Sequence, residues 1–356
     1  MDIGAIQKTG DRRLLRGQFG GLFNSGFLVL AHDQNMGVER ESEQRIQAGI
    51  RYVLTTASSD DGHVFVGRDD LLSACSETLE VDIALIDQGV DAICILANYS
   101  EQFLLTDDER ALLMRISLEH TAGRVPVIVT ISHFWTDLVA RRAMEAEAMG
   151  AAMVMMMPPY HGAGLQAAPQ GILEHFRAVD ESISIPIMVQ DAPLSGVNLT
   201  VDLLAHMARE LENVSYFKIE CPFAADKLAA LIEAAGDHIE GPFDGEEAVT
   251  LLADLDAGAT GTMTSAMFPE KIRPIVTEYR AGNLDVALDQ WKLCLPLINH
   301  ENRQCGLRAA KTIFMEGGVI GSDAVRHPLK PMSQRTRDRL LGLARDLDVL
   351  ALSWGK

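Results

Sequence analysis

The residue whose type and setting most directly suggest chemistry is the lysine inside the apolar run Val214-Ser-Tyr-Phe-Lys-Ile-Glu220. In a strand, the period of two places Tyr216, Lys218 and Glu220 on one face and Phe217 and Ile219 on the other. A lysine is almost never fully buried without a partner or a task. Partly desolvated inside a closed parallel barrel, its pKa would drop toward neutrality and its amine would become a nucleophile. Two plainer readings stand beside this one. Lys218 could be a gatekeeper on an edge strand, or Glu220 could hold it as a charged and inert ion pair.

The elements that must position this lysine repeat along the chain. Apolar runs near 50–56, 92–97, 125–130, 152–157, 185–190, 214–220, 238–241 and 259–264 read as eight strands, with helical patterns between them. Thr106-Asp-Asp-Glu109 is a capping box opening one of these helices, and Thr200 opens another. A helix is also expected over 69–86, closed by Gly89, and another over 245–255. The strands are mostly continuously apolar, as where both faces are covered. No GxGxxG or GxxxxGK loop follows the first strand. The expected fold is therefore α/β, a (β/α)8 TIM barrel over residues 49–270. Residues 1–48 form an extension of uncertain structure, and residues 271–356 form helices packed on the barrel, among them 272–279, 284–291, 302–315 and 336–347.

Active centres of such barrels lie at the C-terminal ends of the strands. Those ends carry Asn98-Tyr99, His133, Tyr160-His161, Gln190-Asp191, Lys218 with Glu220, Asp244 and Thr264-Ser265. A tyrosine at a neighbouring strand end can relay protons to substrate oxygens, although Tyr160 beside two prolines could simply wall a loop. His133 and His161 lack metal-ligand spacing. His300, His327 and the pair Glu246-Glu247 read as structural or surface residues.

A net charge of -19 argues against nucleic acid or an anionic membrane surface as the main partner. No run approaches the length of a membrane helix. The five cysteines, Cys75, Cys94, Cys221, Cys294 and Cys305, are scattered without a CxxC pair, which fits buried thiols in a reducing compartment. The start of the chain has no signal-like apolar core, so cytoplasm is the expected location.

Taken together, Pro158-Pro-Tyr160, the lysine of Tyr216-Phe-Lys-Ile-Glu220 and Gly258-Ala-Thr-Gly-Thr-Met-Thr-Ser265 resemble the dihydrodipicolinate synthase and N-acetylneuraminate lyase family of Schiff-base barrels. The strings Ile93-Cys-Ile-Leu-Ala-Asn-Tyr-Ser-Glu-Gln-Phe103, Met157-Pro-Pro-Tyr-His-Gly162, Val189-Gln-Asp-Ala-Pro193, Gly241-Pro-Phe-Asp-Gly-Glu-Glu247 and Glu301-Asn-Arg-Gln-Cys305 resemble one branch, the 2-keto-3-deoxy-L-arabonate dehydratases. The resemblance implies that Lys218 forms an imine with a 2-keto acid and Tyr160 relays protons. It places Asn98 and Tyr99 near the substrate carboxylate, where the family's hydroxyl pair would stand. His133 and Asp191 are weaker candidates for orienting a leaving hydroxyl, and Gln190 and Thr264 complete the expected substrate contacts. No metal or organic cofactor is implied, and a homodimer or homotetramer is. Dehydration, retro-aldol cleavage and sugar-acid binding without turnover remain open. Before residue 90 the chain departs from the family pattern, because the strand at 50–56 comes only after a long extension.

Overall fold

Runs of Ile, Val and Met pair side by side because each can be covered on both faces. The structure, a computed structural model, describes residues 89–159 and 167–354. Six strands, β1 (Ile93–Ile95), β2 (Val127–Thr130), β3 (Met153–Met156), β4 (Ile187–Asp191), β5 (Val214–Ile219) and β6 (Gly241–Asp244), form one sheet in sequence order. Every pairing is parallel. Beyond β6 a single parallel bridge joins Asp244 to Thr262. The expected strand and helix at 50–56 and 69–86, and Tyr160 with His161, lie outside the described residues.

Helices separate the strands: α1 (Asp107–Thr121), α2 (Thr136–Met149), α3 (Pro169–Asp180), α4 (Val201–Glu210), α5 (Ala224–Ala235) and α6 (Leu251–Asp256). The capping box of α1 forms as expected, with the Thr106 N–H donating to Glu109 at 2.8 Å and the Glu109 N–H to Thr106 at 3.3 Å. The Thr200 hydroxyl likewise accepts the Leu203 N–H at the start of α4. After the sheet come α7 (Pro269–Arg280), α8 (Leu284–His300), a π-helical segment (Glu301–Cys305), α9 (Arg308–Glu316) and α10 (Gln334–Asp346).

Alternation along the strands sorts the core into two clusters. Ile128, Met155, Met188, Tyr216, Phe243 and Met263 pack against one another on one face of the sheet, while Val129, Val189, Phe217 and Ile219 join the helices on the other. Lys218 shares the face of Tyr216, as the period of two requires. Its neighbour across the ladder on β4 is Gln190, and on β6 it is Phe243.

Four sequence expectations are corrected. The strand expected at 259–264 is reduced to the bridge at Thr262. The strand placed at 238–241 lies at Gly241–Asp244, because 236–238 is a 3-10 turn. The helix expected from 245 begins only at Leu251, because Glu247 and Ala248 adopt left-handed backbone angles, φ 51° and 67°, which no helix continues. The helix expected over 302–315 is divided: α8 runs into the π-helical segment, whose Gly306 N–H bonds to the Glu301 carbonyl at 2.7 Å, and α9 starts afresh.

Candidate active site

Lys218 is only 9% exposed and opens onto a cavity of about 640 Å³ that extends from the C-terminal strand ends along β1 to α7. Its Nζ lies 2.5 Å from Glu220 Oε1, and the same oxygen accepts the Gln190 amide N–H at 2.9 Å. Gly245 makes room for this pair. A Cβ there would stand 2.5 Å from Glu220 Cγ and 2.8 Å from Lys218 Cγ.

The sequence suggested a lysine of lowered pKa, and the surroundings reverse that expectation. Burial alone would lower it, but the charges of Glu220 and Glu247 and the hydrogen bond to Glu220 outweigh burial, and the net shift is upward. At rest Lys218 is an ammonium. To act as a nucleophile it must give up a proton, and Glu220 Oε1 is in contact to accept one.

Glu247 is a second carboxyl near Lys218; the pair Glu246-Glu247, read from the sequence as structural or surface, lines the cavity. Burial pushes the Glu247 carboxyl up to about 7, against the opposing pull of Lys218. Asn302 donates to Glu247 Oε2 at 2.8 Å. Glu301, its neighbour on the π-helical segment, is fully buried and pushed up to about 8, by burial first and then by the charge of Glu247. Ser265 is the polar group that favours its charged form, yet neither Glu301 oxygen has a hydrogen bond of ordinary geometry among the described residues. Tyr99 hydrogen-bonds to Glu247, and burial together with the nearby carboxylates raises its hydroxyl pKa.

Of the residues expected from the sequence, the structure brings Lys218, Asn98, Tyr99, Gln190 and Thr264 to one cavity. Asn98 accepts the Gln102 amide at 2.5 Å. Gln190 Oε1 and Thr264 Oγ1 are buried without a partner among the described residues. Asp191 is not part of the cavity lining: it follows Gln190 in the strand, faces the helices, and pairs with Lys227 of α5 at 2.5 Å. Nor is His133, which stacks on Phe134 and accepts the Trp135 N–H at 3.1 Å.

Glu247 was within reach of sequence reasoning, since it follows the end of a strand. Glu301 and Asn302 stood out only as part of a string of family resemblance, with no role attached, because an interruption of a helix by a π-turn leaves no compositional mark. Cys94 also lines the cavity, its thiol pushed up by burial. Among the described residues no group of three or more His, Cys, Asp or Glu side chains is placed to hold a metal ion, and no helix is long and apolar enough to cross a membrane.

Both the sequence and the fold have known relatives. L-2-keto-3-deoxyarabonate dehydratase of Azospirillum brasilense is 54% identical over 306 residues, 86% of this chain and 96% of that protein. A 4-hydroxy-tetrahydrodipicolinate synthase of Thermotoga neapolitana is 26% identical, covering 74% of this chain and 90% of its own length. Among solved structures, dihydrodipicolinate synthase from Aquifex aeolicus superposes with a TM-score of 0.72 at 22% identity, over 77% of this chain and 92% of that one. A putative dihydrodipicolinate synthetase from Pseudomonas aeruginosa does so with 0.70 at 28%, over 77% and 93%. The sequence profile of the dihydrodipicolinate synthetase family matches residues 74–346. The chain belongs to the dihydrodipicolinate synthetase family.

Proposed function

We propose that the chain is a Schiff-base hydro-lyase that dehydrates 2-keto-3-deoxy-L-arabonate to 2-oxoglutarate semialdehyde. The observation that carries this reading is the buried Lys218–Glu220 pair, open to a cavity, in a chain 54% identical to a dehydratase of that substrate. Lys218 passes its proton to Glu220 and attacks the 2-keto carbon. Loss of water from the adduct leaves a protonated imine, an electron sink that acidifies C3. A base removes a C3 proton, and the resulting enamine expels the C4 hydroxyl, which leaves as water once protonated. Movement of a proton from C5 to C3 and ketonisation at C4 give the aldehyde, and hydrolysis of the imine frees Lys218.

Glu247 is the proposed acid for the leaving hydroxyl, because a carboxyl near 7 is substantially protonated at neutral pH. Tyr160 remains the relay that the family resemblance implies. Asn98, Tyr99, Gln190 and Thr264 are proposed to hold the substrate, while His133 and Asp191 are retained only as residues that would act from behind the cavity wall. The finer fold reading is a closed (β/α)8 barrel over 49–270 with the later helices as a C-terminal extension, working in the cytoplasm as a homodimer or homotetramer. Size-exclusion chromatography with light scattering tests the assembly.

The deciding experiment is mass spectrometry of the products formed from 2-keto-3-deoxy-L-arabonate, with borohydride trapping. A product lighter by one water, and a stable adduct on Lys218, are expected. Pyruvate with glycolaldehyde would replace dehydration by retro-aldol cleavage, and binding without an adduct would leave a sugar-acid-binding barrel.

A further inference from the structure

The turn that carries Glu247 is held from behind the cavity by two carboxyls that are not part of its lining, Asp244 at the end of β6 and Asp254 in α6. Glu247 and Ala248 are consecutive residues at positive φ, a backbone that persists only where neighbours enforce it. Ala248 supplies the handles. Its N–H donates to Asp244 Oδ2 at 3.2 Å, and its carbonyl accepts the Trp291 indole N–H at 3.0 Å. At the far end of the turn the Thr250 hydroxyl donates to Asp254 Oδ2 at 2.7 Å. The Thr262 hydroxyl also donates to Asp244 Oδ2 and ties in the segment beyond β6.

Both carboxyls are fully buried. Their remaining oxygens, Asp244 Oδ1 and Asp254 Oδ1, have no donor among the described residues, while the two side chains lie within hydrogen-bonding reach of each other. Two bare carboxylates would repel strongly here. A proton held on Asp244 removes the repulsion and supplies a donor between the two facing oxygens. The titratable groups facing Asp244 are Asp254 from α6 and Glu247 from the turn, and burial with their help pushes its carboxyl upward against the Thr262 hydrogen bond.

We propose that Asp244 and Asp254, two fully buried carboxyls bonded to Ala248 and Thr250, are positioning residues that lock the turn 245–250 and thereby hold the Glu247 carboxyl in the cavity. The proposal rests on the reading of Glu247 as the proton donor of the site. Neither aspartate meets substrate. Their effect reaches the reaction through the place and protonation of Glu247.

The test compares the full-length protein with Asp254→Ala and Asp254→Asn, following the Glu247 carboxyl by 13C NMR titration, with its resonance assigned by Glu247→Gln, alongside kcat, KM and borohydride trapping. Asp254→Asn can still accept from Thr250 and donate to Asp244, so its Glu247 midpoint and kcat are expected to match the parent. Asp254→Ala should lower the Glu247 midpoint by a unit or more and cut kcat by about 10²-fold, as a displacement near 1 Å does, with KM and trapping at Lys218 unchanged. A Glu247 midpoint and kcat unchanged in Asp254→Ala would overturn the proposal. If that chain does not fold, Thr250→Val removes one anchor more gently and must shift Glu247 in the same direction; no shift overturns it equally. Parental kcat in Glu247→Gln would instead sink the catalytic reading of Glu247, while the titrations would still judge the lock.

Discussion

Lys218 and its contacts carry the sharpest tests. Replacing Glu220 with Gln removes the contact acceptor for the Lys218 proton, and pre-steady-state trapping should show imine formation slowed by about 10²-fold or more, the range for general-base catalysis. Gly245→Ala adds only one methyl group, yet its Cβ would meet Glu220 and Lys218 at 2.5 and 2.8 Å. Overpacking of this kind costs about 1–3 kcal/mol, and kcat should fall more than thermal stability suggests because the displaced atoms are those of the pair itself. Glu247 sets the pH behaviour. Acting as an acid, it is active when protonated, so kcat should decline as pH rises through about 7, and this limb should be absent from the profile of Glu247→Gln.

Among the elements, the π-helical segment has a cost that can be measured. Glu301 is buried on it with a carboxyl raised to about 8 from an ordinary 4.5. The folded state therefore holds a proton that the unfolded chain releases above about 4.5, so this group's contribution to stability falls as pH rises toward 8. Glu301→Gln should melt close to the parent at pH 5 and several degrees above it at pH 9, at roughly 2–4 °C for each kcal/mol recovered. A scan that finds equal differences at both pH values would rule this out. The same elements show what was legible in the sequence. Continuous apolar runs marked β1 to β5 well, since burial on both faces is written directly into composition. The last turn of the sheet was harder, because 259–264 is apolar enough for a strand but contributes only the bridge at Thr262. Lys218 and Gln190 stood out because polar residues are rare in such runs. Glu247 did not, since helical composition from 245 onward concealed two residues of left-handed backbone.

Across the molecule, distant parts of the chain meet at one buried carboxylate. Glu101, just after Asn98 and Tyr99, accepts from Lys311 of α9 and from the Arg326 N–H at 2.8 Å, while the Arg326 guanidinium grips Glu109 of the α1 cap at 2.6 and 2.9 Å. More than two hundred residues of sequence separate these partners. Glu101→Gln would leave Lys311 without its countercharge. Because Lys311 is about a third exposed, the expected loss is roughly 2 kcal/mol, or a fall of about 5 °C in Tm by calorimetry. An unchanged Tm would mean that solvent already screens the pair.

The interruption at Glu301–Cys305 also bears on descent. A π-turn holds one residue more than the α-helical turn it replaces, and each residue of an α-helix advances by about 100°. Deleting a single residue there would narrow the turn and rotate α8, with Glu301 and Asn302 at its end, by about 100° against the segment that follows, turning them from Glu247. The change would be invisible as a substitution, and would register only as a difference of one in chain length. Among homologous chains, that single gap should divide those able to hold a carboxyl opposite Lys218 with this asparagine from those that cannot, and inserting one residue into a chain of the second kind would be the shortest step between them.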